Sequence, residues 1–298
     1  MYNIQNDLLF KATSSNNWEQ VGFYPTPNVG GNITPRFLVI HFTAGAANAV
    51  QTAKYFQKPE AKTSAHLNLD VDGSWTQNVE FSVKAWHAGK STWAGVKNLN
   101  SHSIGIEVCN PGPLTIVKGG YKAWWGKTIE SDDIIEAPHP NAPNGEVYGW
   151  MPFSEAQVNA LIEVGQLLMT HYGMEECVGH DMISPGRKRD PGPCMNYRVY
   201  DQINAAMDNP NTRWEWYVAN VKTSLNARGG PGTNYDVVTT LPKGTAIDDI
   251  IAKEGVWWFC ELEEGEHARG QVVERVGVVA VGAWLGFGCG FGFGLGLG

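Results

Sequence analysis

Residues 37–43 read FLVIHFT, an apolar, β-branched run with one imidazole set inside it, and such a run is a buried strand. A chain that must bury this strand has to supply partners for it, and the neighbouring text does so. NAVQTAKYFQ (48–57) reads as a helix, and AHLNLDVDGSWTQNV (65–79) alternates about a D-G turn as a hairpin would. SIGIEVCN (103–110) is a further strand, whose polar letters stand out. In SEAQVNALIEVGQLLMTHYG (154–173), Ser154 caps a helix with apolar letters at helical spacing, and Gly173 ends it. Strands and helices intermix in this way to about residue 208, which predicts an α/β domain built on a single sheet.

The remaining segments have different textures. Residues 1–34, punctuated by Pro25, Pro27 and Gly30-Gly31, are expected to be mostly irregular. Residues 111–150, with their glycines, prolines, Trp124-Trp125 and an acidic run, read as a long surface insertion forming one wall of a cleft. DNPNT at 208–212 is linker-like, and from 222 short β-capable runs alternate with Gly/Pro turns, as in a small all-β module. Residues 276–298 carry no charge over 23 positions, a length that would span a membrane. Their nine glycines and near-dipeptide FG/LG repeat mark a low-complexity tail instead.

Composition excludes some functions. A net charge of −8 argues against non-specific nucleic-acid binding, leaving only a local basic patch for an anionic polymer. The five cysteines, Cys109, Cys177, Cys194, Cys260 and Cys289, form no CxxC pair and no disulfide framework. The opening MYNIQNDLLFKATSSNN has no basic region followed by an apolar one, so a Sec-type signal is not expected. A cytoplasmic protein, or one released to the wall by another route, fits that text.

The densest chemistry lies in GHDMISPGRKRDPGP (179–193), which holds His180, Asp190 and three basic residues on a backbone too rich in proline and glycine to be regular. Two imidazoles and a carboxylate suffice to hold a catalytic Zn²⁺ with a fourth position open. His41, His180 and Asp190 are one such set, and sets drawn with His66, His87 or His102 stay open on spacing alone.

Residues 37–194 carry six stretches in one order: VIHFTAG, SAHLNLDVDGS, AWHAGKSTWAG, LNSHSIGIEVCNPG, PFSEAQVNAL and VGHDMISPGRKRDPGP. In that order they resemble the zinc-dependent N-acetylmuramoyl-L-alanine amidases of the type-2, AmpD/AmiD-like class. The resemblance implies a single mixed central β-sheet flanked by helices. It implies one catalytic zinc held by His41, His180 and Asp190; some relatives have cysteine at the last position, where this chain has a harder oxygen ligand. Glu107 of SIGIE would be the catalytic carboxylate and Lys188 of GRKRD the cation at the developing oxyanion. Zinc polarises the amide carbonyl and lowers the pKa of water, Glu107 moves the proton, and losing one good oxyanion donor typically costs about 3–4 kcal/mol.

On the substrate side, the resemblance suggests that His87 of AWHAG lines the cleft. His66 reads as structural or as cleft floor, Trp86 and Trp93 equally as glycan or peptide contacts and as core, and Asn110 as positioning backbone or ligand. The implied partner is peptidoglycan or a muropeptide, acted on by a monomer with no stable membrane association. Two other functions compete: a peptidoglycan-recognition protein that binds without cleaving, and a hydrolase of another N-acyl amino-acid amide. Relatives of the first kind lose a ligand, whereas all three candidates stand here.

LNARGGPGTNYDVVTTLPKGT resembles the opening of a bacterial SH3 domain, with Tyr235 on its ligand side, and departs from it after WWFCEL. The expected organisation is a catalytic domain at 17–208, a partial SH3-like module at 221–262 and a disordered glycine-rich tail at 263–298.

Overall fold

In the computed structural model the described residues are 1–142, 145–207 and a few short strands between 217 and 282. The centre is a six-stranded mixed sheet built from Gly22–Phe23 (β1), Phe37–Phe42 (β2), Leu67–Leu69 (β3), Trp75–Gln77 (β4), Ser103–Val108 (β5) and Glu176–Gly179 (β6). Their order is β6-β2-β5-β3-β4-β1. β2 is parallel to both β6 and β5, β5 is parallel to β3, and β3 and β4 form the antiparallel hairpin about the D-G turn.

The apolar run of β2 is explained by burial on both faces. Leu38 and Ile40 join the main core, while Phe37 and Val39 point the other way, into a smaller cluster with Ala88, Leu99, Val178 and Ile183. β5 divides differently. Ile104, Ile106 and Val108 enter the main core, so Ser103, Gly105 and Glu107 share the opposite face, the face of His41. The polar letters of SIGIE therefore all serve one side of the sheet.

Two helices buttress the sheet. Ala49–Phe56 (α1) begins with a capping box in which Asn48 accepts from the Gln51 backbone at 2.9 Å and Gln51 returns the bond. Glu155–Tyr172 (α2) begins with the same device between Ser154 and Gln157 and ends on Gly173, whose φ of 60° suits glycine. Such a cap contributes about 1 kcal/mol. α2 presses Leu161, Val164 and Leu168 into the main core. A single turn, His180–Ile183 (α3), follows β6, and Tyr197–Asn204 (α4) adds Val199 and Ile203 to the core.

Residues 1–34 are not mostly irregular. Tyr2–Gln5, Leu8–Ser14 and Asn17–Gln20 form an antiparallel meander. Its first connection is a two-residue loop, Asn6-Asp7, with φ of 50° and 60°, the left-handed pair that a tight hairpin needs. Ile4 and Leu9 enter the main core, and Met1 belongs to the same compact unit.

The 111–150 insertion carries a meander, Thr115–Val117, Gly120–Lys122 and Thr128–Ile129, around a small core of Leu114, Ala123 and Ile134. At its tip the exposed Trp124 donates its indole N–H to Ala44 O.

Among the described residues no helix is long and apolar enough to cross a membrane. Ser224–Arg228, Val237–Pro242, Ile250–Glu254, Trp257–Cys260 and Val279–Gly282 belong to one five-stranded sheet. The turns that would make an SH3-like module of 221–262, Tyr235 among them, and most of the 263–298 tail lie outside the described residues.

Candidate active site

Sheet register assembles the site. His41 is the fifth residue of β2, and Glu107 is its partner in the parallel β5–β2 ladder. On the other side of β2, Gly179 pairs with Ile40, so the chain leaves β6 with His180 next to His41. The loop after α3 returns to the same point, where Asp181 N donates to Asp190 O at 2.7 Å.

His41 Nδ1, His180 Nδ1 and Asp190 Oδ2 lie 2.7–2.8 Å from one another, and all three residues are buried. Among the described residues these are the His/Cys/Asp/Glu side chains grouped so that they could hold a metal ion. The hydrogen bonds around them test the fit. His180 Nε2 faces the Ala88 carbonyl at 3.1 Å, nearer than the Arg187 guanidinium at 3.4 Å, and a carbonyl only accepts, so the shorter contact assigns the proton to that nitrogen. His41 Nε2 lies 2.9 Å from His87 Nδ1. With the outer nitrogens protonated, both Nδ1 lone pairs converge on the Asp190 carboxylate, and a cation is what reconciles three such donors at one point.

The electrostatics agree with neutral imidazoles. Burial, reinforced by His180, lowers the His41 pKa to about 4, and burial with neighbouring histidines lowers His87 well below its ordinary value. Burial, reinforced by Asp190 and opposed by Lys188, pushes the Glu107 carboxyl well above the usual range. Glu107 Oε2 is inaccessible and has no hydrogen-bond partner.

These residues line a cavity of about 330 Å³ with His41, His87, Glu107, His180, Lys188 and Asp190 in its wall, together with Ala44, Thr63 and, from α1, Tyr55. Of the residues expected on the substrate side, only His87 lines it, and even His87 is largely occupied behind His41. His66 is wholly buried, accepting from Gly105 N at 3.0 Å and donating to Val83 O at 2.9 Å, so it has no nitrogen for a substrate. Asn110 spends its carboxamide on Met151 O and Gly112 N. Trp93 packs on the smaller core and donates to Glu176 at 2.7 Å, and Trp86 sits outside the cavity lining. His102 caps a 3₁₀ turn away from the triad.

The three cations of GRKRD have separate fates. Arg187 staples the loop by donating to Ala88 O, Lys90 O and Ser184 Oγ, and Arg189 lies over the Tyr148 ring at 4.9 Å. Lys188 lines the cavity. The sequence alone marks no structural role for Arg187, Ser103 or Gly105. For the latter two it marks only a shared side, because alternate letters of SIGIE share the face of Glu107.

A parallel-centred α/β unit thus carries a buried His-His-Asp group that could hold a metal ion. The sequence profile of the N-acetylmuramoyl-L-alanine amidase family matches residues 31–193, more than half of the chain, and the chain belongs to that family. It is 36% identical over 172 residues to N-acetylmuramoyl-L-alanine amidase AmiD of Escherichia coli, covering 56% of this chain and 52% of AmiD. It is 28% identical over 144 residues to 1,6-anhydro-N-acetylmuramyl-L-alanine amidase AmpD of Haemophilus influenzae, covering 47% of this chain and 58% of that protein. The chain thus spans little more than half the length of these curated relatives. Among solved structures, AmiD from E. coli in complex with anhydro-N-acetylmuramic acid-L-Ala-D-gamma-Glu-L-Lys aligns at 24% identity with a TM-score of 0.43, covering 68% of this chain and 65% of that one.

Proposed function

We propose that this chain hydrolyses the amide between N-acetylmuramic acid and L-alanine, in peptidoglycan or in muropeptides, as a zinc-dependent monomer. The observation that carries the reading is Glu107, in register with His41 and lining the same cavity as His180, Asp190 and Lys188, with its buried Oε2 left without a hydrogen-bond partner. Family membership and the printed activities of the relatives support it.

In this reading His41, His180 and Asp190 hold one Zn²⁺. Zinc bound there supplies Lewis acidity and a strong oxygen nucleophile near neutral pH. Glu107 takes the proton of the attacking water and delivers it to the departing L-alanine nitrogen. Its raised pKa suits the second half of that task, in which the acid form must survive near neutrality. Lys188 places positive charge where the carbonyl oxygen becomes negative. The reading places the catalytic domain at 17–208 and a partial SH3-like module at 221–262.

The test is mass spectrometry of sacculus digests and of a synthetic muramyl-L-alanyl peptide. The wild-type chain, Glu107→Ala, and the wild type stripped by chelator and then reloaded with zinc are compared. Free stem peptide from wild type and reloaded protein alone is expected. Bound but uncut substrate in every arm overturns hydrolysis in favour of recognition without cleavage.

A further inference from the structure

The dipeptide His87-Ala88 touches both histidines of the triad, one through its side chain and the other through its backbone. Ala88 O accepts from His180 Nε2–H at 3.1 Å, and His87 Nδ1 lies 2.9 Å from His41 Nε2. The dipeptide is itself clamped, because Asn100 Oδ1 accepts from both backbone N–H groups, His87 at 3.0 Å and Ala88 at 2.6 Å.

The direction of the His41–His87 bond can be read from the far end of the chain of contacts. Ser103 Oγ has a single proton, and it goes to the Leu99 carbonyl at 2.6 Å, a group that only accepts. His87 Nε2, 3.2 Å from Ser103 Oγ, must then be the donor of that pair. A neutral imidazole protonated at Nε2 has a bare Nδ1, so His87 Nδ1 accepts from His41 Nε2–H. His41 is left with its lone pair on Nδ1, pointing at Asp190 and His180.

The edge-on arrangement of the two rings, 5.1 Å between centroids with planes at 89°, suits this in-plane bond. Gly105 leaves room for the His87 ring, since a Cβ there would stand 2.5 Å from His87 Cγ.

We infer that His87 is a positioning residue: the relay Leu99 O, Ser103, His87 fixes His41 in the Nε2–H tautomer and so aims its Nδ1 at the cation. This rests on the proposed metal centre, but it is a statement about protons in the metal-free protein. His87 touches neither substrate nor reacting atoms in this role. It also explains why a residue expected in the cleft is held so firmly behind it.

The experiment has two parts, both on the full chain. Long-range ¹H–¹⁵N correlation spectra of the metal-free wild type at pH 8 read the tautomers directly. His41 and His87 are each expected to be protonated at Nε2, and an Nδ1–H tautomer of His41 overturns the relay whatever any variant does. Zinc affinity is then measured by competition with a chromophoric chelator for wild type, His87→Leu and His87→Asn, each checked for a native unfolding midpoint.

Loss of a partner behind a metal-binding histidine typically weakens binding about 10–100-fold. That loss is expected for His87→Leu, with recovery in His87→Asn, whose Oδ1 can replace the accepting Nδ1. A folded His87→Leu that binds zinc as wild type does overturns the inference. A wild type with the expected tautomers that fails to bind zinc sinks the zinc reading and leaves the relay standing.

Discussion

Glu107 and His41 are register partners in the parallel ladder of β5 and β2, so the carboxylate and the first imidazole of the triad stand side by side on one face of the sheet. Two adjacent strands fix this relation, and no loop has to move to create it. Glu107→Gln keeps the shape and removes the proton-carrying group. General acid–base catalysis is typically worth 10²–10⁴-fold, so kcat should fall by about that factor. Zinc bound per chain, read by metal analysis of the purified variant, should stay at the wild-type value.

The same carboxylate sets a pH limit. Burial, with Asp190, raises its pKa well above the usual range, and the base form is lost as pH falls through that raised value. Burial, the largest cause, persists when the metal site is filled, so the acid limb of kcat/KM should lie above the ordinary carboxylate range. Lys188 opposes the rise, so Lys188→Met should move that limb to higher pH as well as lowering kcat. Arg189→Met, which loses only its position over Tyr148, should leave the limb in place. PH–rate profiles of the three proteins decide it.

Much of this site was readable before any coordinates. FLVIHFT and SIGIEVCN gave two central strands because burial on both faces leaves a run with almost no polar letters, and the exceptions, His41 and Glu107, had to be there for a reason. What was hidden was three-dimensional. Nothing in AWHAG says that His87 bonds back to a strand, because the Ser103 and Gly105 that receive it lie on an element distant in sequence. The Asn6-Asp7 hairpin was missed because no glycine announces its left-handed residues. The resemblance singles out Lys188 among the three cations of GRKRD, but only the loop path shows Arg187 reaching the backbone carbonyls of 88 and 90.

His66 makes a stability prediction that does not involve the metal. Burial lowers its pKa to about 4, against an unfolded value near 6.5. The unfolded chain binds the extra proton between those values, so the contribution is complete above about pH 6.5 and is lost as pH falls toward 4. Integrated over that window the loss is about 3 kcal/mol. The structural event is specific, because a proton on Nδ1 removes the acceptor of Gly105 N–H in β5. Urea unfolding at pH 7 and pH 4 should show wild type losing about 3 kcal/mol more than His66→Gln.

Gly105→Ala separates strand preference from packing. Alanine is ordinarily better than glycine within a strand, since it costs less backbone entropy on folding. Here the new Cβ would lie 2.5 Å from His87 Cγ and Nδ1 and 2.9 Å from Cδ2, too close for any real contact. The ring cannot swing aside without breaking its bonds to His41 and Ser103. Overpacking of this kind costs about 1–3 kcal/mol, which outweighs the entropic gain of about 0.5–1 kcal/mol. Unfolding midpoints should therefore fall for Gly105→Ala and hold or rise for Gly31→Ala, where a Cβ meets nothing within 4 Å. If Gly105→Ala folds as stably as wild type, the His87 ring is free to move, and the rigid support ascribed to it behind His41 does not exist.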